Sequence, residues 1–204
     1  MAATPETVTI QAAGNGPRLQ AVWATGDGPA LIIAPPHPLY GGSLDNPVVE
    51  ALAAAASRAG RAHLRFNWRG VGASGGNASG DPAEAQADYR AALEDLAARV
   101  PGPFVAAGYS FGAATALTIA HADARVVRAV LIAPPAAMLS GIGVRAGLEL
   151  RVVTGEHDEY APPAALQAWL GTAAGASLES IAGADHFFSR GTAALGVALA
   201  RALV

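Results

Sequence analysis

Residues 103–120 read Pro103-Phe104-Val105-Ala106-Ala107-Gly108-Tyr109-Ser110-Phe111-Gly112-Ala113-Ala114-Thr115-Ala116-Leu117-Thr118-Ile119-Ala120, and they decide the fold. Pro103 to Ala107 is a short apolar run that predicts a buried strand, and Ala113 to Ala120 is a small-residue run that predicts a helix packed closely on a sheet. Between them, Gly108-Tyr109-Ser110-Phe111-Gly112 fits GxSxG. In a strand-to-helix frame this pattern is a nucleophile elbow. The serine sits at a sharp, strained turn that presents its hydroxyl outward, and the flanking glycines leave room for the bend. The segment from Val100 to Ala122 carries no Asp, Glu, Lys or Arg and is long enough to span a bilayer. Pro101, Gly102, Pro103, Gly108 and Gly112 interrupt it, so two buried elements joined by a turn explain the same apolarity without lipid.

Working outward, Thr7 to Ala12 and Arg18 to Ala24 predict an antiparallel hairpin at a sheet edge, turned by Gly14-Asn15-Gly16-Pro17. Strands then alternate with helices. Ala30 to Ala34 precedes a helix over Pro47 to Ala59; Ala62 to Asn67 precedes one over Pro82 to Arg99; and Phe104 to Ala107 precedes Ala113 to Ala122. Val126 to Ala133 is followed by a segment of undecided structure. Glu149 to Thr154 precedes Pro163 to Leu170, and Leu178 to Ile181 precedes Thr192 to Leu203. Continuous apolar strands alternating with amphipathic helices indicate an α/β fold with a mostly parallel sheet covered on both faces. Right-handed crossovers put the loops after successive parallel strands on one carboxyl edge, where ligands of open α/β sheets bind. No repeat and no linker divides the chain, so residues 1–204 are expected to form one domain.

Composition narrows the function. A chain of 204 residues buries roughly 70% of its unfolded surface and needs no staple. With no cysteine there is no disulfide, thiolate metal site or cysteine nucleophile. A net charge of −3 with 14% charged residues offers no basic stripe, so nucleic acid is not an expected partner, nor is a membrane. Met1 to Thr9 lacks the basic and apolar regions of a secretory signal, which predicts a cytoplasmic location. Gly70-Val71-Gly72-Ala73-Ser74-Gly75 matches GxGxxG, but the loop continues through Gly76-Asn77-Ala78-Ser79-Gly80-Asp81-Pro82 instead of opening a helix, against a dinucleotide site. The histidines are isolated and no HExxH occurs, so no metal and no cofactor is expected.

A serine hydroxyl needs a general base within hydrogen-bond reach. Of the five histidines, His63 lies within a predicted strand and His121 ends the helix after the elbow; neither reaches back readily to Ser110. His186, in Gly183-Ala184-Asp185-His186-Phe187-Phe188 after the last strand, is the preferred base, ahead of His157. The orienting carboxylate precedes the histidine in this architecture. Asp158, in Gly155-Glu156-His157-Asp158-Glu159, fits best, with Glu156 next, while Asp185 is discounted because neighbouring side chains diverge. Acyl transfer also needs amide donors for the oxyanion. Phe111 N–H, at the start of the helix, is one. The loop Pro35-Pro36-His37-Pro38-Leu39-Tyr40-Gly41-Gly42 should supply the other. Its prolines lack N–H, which leaves Leu39 or Tyr40; Leu39 is chosen. His37 is a possible substrate contact, although a structural hydrogen bond within the loop is the more ordinary role.

These residues resemble the α/β-hydrolase superfamily, and within it small lidless bacterial hydrolases and carboxylesterases related to dienelactone hydrolase. Four landmarks in order carry the likeness: the loop His37 to Asn46, the stretch Phe66-Asn67-Trp68-Arg69-Gly70-Val71-Gly72-Ala73-Ser74, the elbow Gly108 to Gly112, and Gly183 to Phe188. The resemblance implies Ser110 as nucleophile, Asp158 as acid and His186 as base. Pro35 departs from the HPHP pattern of similar sequences, and a serine stands where dienelactone hydrolases use cysteine. Larger relatives insert a cap after the strand ending near Ala133; Pro134 to Gly147 is too short for one. The site is therefore expected to be open and shallow, with Tyr40, Tyr109, Met138 and Leu139 as apolar walls. Short-chain carboxylic esters are the expected substrates, and the chain a monomer or homodimer. Thioesterase, amidase and acyltransferase chemistry would use the same groups, and a non-catalytic binding module on this fold is the competing class.

Overall fold

The structure, a computed structural model, describes residues 4–204 except 13, 15 and 172. Eight strands form one sheet: β1 (Glu6–Gln11), β2 (Arg18–Ala24), β3 (Asp27–Ala34), β4 (Arg61–Phe66), β5 (Phe104–Tyr109), β6 (Val126–Ile132), β7 (Glu149–Gly155) and β8 (Ala176–Ile181). Their spatial order is β1-β2-β4-β3-β5-β6-β7-β8. The β1–β2 and β2–β4 pairs are antiparallel and the rest parallel. The edge hairpin and the mostly parallel sheet are thus as the sequence predicts. The turn expected at Gly14-Asn15-Gly16-Pro17 lies partly outside the described residues.

Five helices cover the sheet: α1 (Pro47–Arg58), α2 (Pro82–Arg99), α3 (Phe111–Ala122), α4 (Pro163–Leu170) and α5 (Thr192–Ala202). Chain direction sets their faces. From β3, the crossover through α1 steps one way to β4, and from β4 the crossover through α2 steps back past β3 to β5. With both crossovers right-handed, α1 and α2 fall on opposite faces. Helix α5 packs with α1, and α3 with α2. The reversal makes the gap between the carboxyl ends of β3 and β5 the switch point where open α/β sheets bind ligands.

The apolar run around the elbow resolves into a strand buried along all six residues and a helix buried at nine positions. Among the described residues no helix is long and apolar enough to cross a membrane. Every residue of Leu31–Ala34 and Ala129–Ile132 is fully buried. Each large side chain removed from water there contributes about 1.5–3 kcal/mol to the hydrophobic stabilisation. Tyr89 of α2 is also fully buried, and its hydroxyl donates to Ile32 O (3.1 Å) and accepts from Ala107 N (3.0 Å), so it ties β3 to β5 beneath the switch point. Burial pushes its phenol far above the ordinary value. Between β6 and β7 the chain forms only a 3₁₀ turn, Ala136–Met138, and no cap domain is present among the described residues.

Candidate active site

Ser110 follows β5 directly and has φ 54° and ψ −118°, a left-handed conformation that costs a non-glycine residue about 1–3 kcal/mol. The surrounding structure holds it there. Ser110 N–H donates to Ile132 O (2.8 Å), and Ser110 O accepts from the amides of Ala113 (2.9 Å) and Ala114 (3.2 Å). The two glycines serve close approach. A Cβ at Gly112 would lie 2.4 Å from Pro35 O, and one at Gly108 would lie 2.4 Å from the Gly112 carbonyl carbon.

Loops after β7 and β8 bring the next two groups to Ser110. Ser110 Oγ is 3.0 Å from His186 Nε2, and His186 Nδ1 is 2.8 and 2.9 Å from the two oxygens of Asp158. With Nδ1–H donating to the carboxylate, Nε2 is the bare nitrogen and accepts from the serine hydroxyl. All three residues are buried. Asp158 also accepts from the amides of Tyr160 (2.9 Å) and Ala161 (2.7 Å) and from Thr154 Oγ1 (3.3 Å), which fixes its orientation. His186 is held through its backbone as well: Tyr109 Oη donates to His186 O at 2.8 Å. Burial first, then the carboxylates of Asp158 and Asp185, push the Tyr109 phenol well above its ordinary value, so it remains a donor.

The competing acids are occupied elsewhere. Glu156 accepts from Gly183 N–H (2.7 Å) and joins the two loops, while Asp185 accepts from Ser189 N–H (3.0 Å). Acceptance of Ser189 N–H also holds the Asp185 carboxyl below the usual range. His157 faces Glu156 at 3.9 Å and does not meet Ser110.

The loop after β3 departs from expectation. Pro38–Tyr40 forms a 3₁₀ turn capped by His37, whose Nδ1 accepts from Leu39 N–H at 3.2 Å. Tyr40 N–H donates to His37 O (3.1 Å). Both amides that the sequence offers as the second oxyanion donor are therefore consumed within the turn. His37 N–H has no acceptor among the described residues, and neither does Phe111 N–H. Burial lowers the His37 imidazole from its ordinary value, which favours the neutral ring that the cap requires.

The stretch from Asn67 to Gly70 props this loop. Trp68 Nε1 donates to Pro35 O (3.1 Å) and Pro36 O (3.0 Å), and Asn67 Oδ1 accepts from Leu44 N–H (2.7 Å). Arg69 clamps the buried Asp88 of α2 through Nε (3.1 Å), Nη2 (2.8 Å) and its own backbone N–H (2.9 Å), and pairs with Glu84 at 2.6 Å. The hydrogen bonds with Asp88 raise the Arg69 guanidinium further.

A cleft of about 480 Å3 opens above Ser110, and His37, Tyr40, Tyr109 and His186 line it. Met138 and Leu139 do not. Leu139, which ends the 3₁₀ turn, is fully buried, and the half-buried Met138 packs against the same core. Their places are taken by Tyr160 and Phe187, with Pro36, Gly41, Asn46 and Pro135. The sequence reading missed these residues, although Tyr160 lies two positions after Asp158 and Phe187 adjoins His186, a proximity that points to the site.

The alpha/beta hydrolase family model matches residues 36–202, from the capped loop to the end of α5. The chain belongs to the alpha/beta hydrolase family. It is similar to an alpha-beta serine hydrolase homologue from Coxiella burnetii, with 28% identity over 98% of this chain and 97% of that one and a TM-score of 0.88. It is also similar to a serine hydrolase without lid from Xanthomonas campestris, at 30% identity over 98% of this chain and 93% of that one, with a TM-score of 0.84. Est1E of Butyrivibrio proteoclasticus, solved with ferulic acid bound, shares the fold at 17% identity over 95% of this chain and 96% of that one, TM-score 0.79. No curated protein matches the chain.

Proposed function

We propose that this alpha/beta hydrolase is a serine esterase that cleaves carboxylic esters of short acids through an acyl-enzyme. Ser110 attacks the ester carbonyl while His186 Nε2 takes its proton; collapse of the tetrahedral intermediate expels the alcohol, to which His186 returns that proton. Water activated by the same imidazole then releases the acid. Asp158 holds the imidazole with Nδ1 protonated and stabilises the imidazolium. Phe111 N–H and His37 N–H receive the oxyanion. In a trans peptide N–H points away from C=O, so the indole that holds Pro36 O turns the His37 amide to the opposite side.

The observation that carries this reading is the unbroken chain from Ser110 Oγ through His186 (3.0 Å) to Asp158 (2.8 Å), set on a strained turn beneath an open cleft. A cleft of about 480 Å3 with no lid among the described residues supports a small acyl group. Ser110→Ala should lower p-nitrophenyl acetate turnover by at least 10³-fold, from the loss of covalent catalysis, with an unchanged circular dichroism spectrum. Retained turnover, or octanoate esters cleaved faster than acetate or butyrate esters, would contradict the proposal.

A further inference from the structure

All twelve aromatic side chains of Trp, Tyr and Phe lie among the described residues, and three of them are exposed: Tyr40 (87%), Tyr160 (59%) and Phe187 (67%). All three line the one cleft above Ser110. Of the other nine rings eight are buried and one, Trp169, is half-buried, so the exposure of these three marks a surface that something apolar covers. Two of the three stand against the base. The Tyr160 ring is 4.9 Å from the His186 ring at 54°, and the Phe187 ring is 5.4 Å away at 87°. Tyr40 belongs to the loop after β3 and packs on His37 at 4.7 Å.

Their attachment is firm. Tyr160 N–H donates to Asp158 Oδ1 (2.9 Å), and Phe187 lies within the turn closed by Phe188 N–H on Asp185 O (3.2 Å). The contacts that orient the acid and the base therefore also place these two rings.

Chemistry decides which half of an ester meets them. When the tetrahedral intermediate collapses, the bond from carbon to the alcohol oxygen breaks, its electron pair stays on that oxygen, and the proton taken from Ser110 passes to it from His186 Nε2. Such a transfer needs the leaving oxygen within about 2.6–3.2 Å of that nitrogen. The carbon group on the leaving oxygen then lies against the rings that flank His186. We propose that the cleft selects esters whose alcohol half is a planar aromatic group, seated against Tyr160 and Phe187. The inference rests on the roles of Ser110 and His186 given above, and it names the substrate class of that site.

The test compares benzyl acetate with cyclohexylmethyl acetate, which have the same carbon skeleton but a flat and a puckered ring. Ring pairing predicts a preference of about tenfold in kcat/KM for the benzyl ester. Methyl phenylacetate and methyl cyclohexylacetate, which carry the ring in the acyl half, should differ by less than about threefold. In the Tyr160→Leu/Phe187→Leu double variant, which keeps apolar side chains at two exposed positions, the benzyl preference should fall to within about twofold. Absence of the benzyl preference, a preference confined to the acyl half, or its survival in the double variant would each overturn the proposal. Should no ester turn over and Ser110 resist a fluorophosphonate, the esterase reading itself fails. Saturation-transfer NMR with benzyl alcohol and cyclohexylmethanol then decides the aromatic selectivity alone: selective benzyl alcohol binding lost in the double variant supports it, and equal binding rejects it.

Discussion

Trp68→Phe isolates the part of the account that links a buried side chain to the oxyanion site. The indole is 1% exposed and its single N–H is shared between Pro35 O (3.1 Å) and Pro36 O (3.0 Å). Phenylalanine cannot donate. Leaving buried carbonyls without a partner costs about 1–3 kcal/mol, and the void left by the smaller ring adds about 1 kcal/mol. The sum, about 2–4 kcal/mol, should lower Tm by about 5–12 °C in a chain of this length. The same change frees the Pro36–His37 peptide to turn, so His37 N–H no longer faces a fixed point. Complete loss of an oxyanion donor costs about 10²–10³ in kcat; a misdirected one should cost about 10- to 100-fold, with KM changed far less. Thermal denaturation followed by circular dichroism, together with p-nitrophenyl acetate kinetics, measures both effects. A lowered Tm with kcat within twofold of the parent would show that Trp68 only fills the core, and would refute the aiming of His37 N–H. An unchanged Tm would refute the energetics as well.

Gly112→Ala places a methyl group 2.4 Å from Pro35 O and 2.6 Å from Ala34 O, both backbone atoms that cannot rotate away. The variant should lose several kcal/mol of stability and more than 99% of activity, and a wild-type urea midpoint would contradict this packing. Acid should weaken the fold through His63 and His37, whose imidazoles are lowered from 6.5, chiefly by burial. The unfolded chain takes up those protons more readily, so the stability from the neutral rings is fully present above about pH 6.5 and is lost as pH falls through the lower folded values. The urea midpoint should accordingly fall between pH 7.5 and pH 5, and His63→Gln should flatten part of that slope. A midpoint that rises on acidification would reverse the argument.

The fold was legible because its signals are local and redundant. Apolar runs such as Leu31-Ile32-Ile33 and Val130-Leu131-Ile132 fit strands buried on both faces, and they alternate with helical runs such as Pro47 to Ala59 and Pro82 to Arg99. The relation among Ser110, Asp158 and His186 was readable from chain order, since parallel strands deliver their following loops to one edge. The donor loop was not. Counting amides after prolines points to Leu39, but a histidine side chain competes for that N–H and caps the turn, and such side-chain-to-backbone bonds leave no periodic trace in sequence. Met138 and Leu139 were misplaced for a related reason, because a segment without periodicity gives no indication of which way a 3₁₀ turn faces. The landmark from Phe66 to Ser74 was noticed without its purpose, which is to brace the loop after β3 from below.

The central claim is that Ser110 is an activated nucleophile, and intact-mass spectrometry of the folded protein after fluorophosphonate treatment tests it most directly. The account predicts one adduct per chain, mapped to the peptide carrying Ser110, absent from Ser110→Ala and formed much more slowly in His186→Ala. No adduct on the folded wild-type protein, or an adduct that persists in Ser110→Ala, would contradict it.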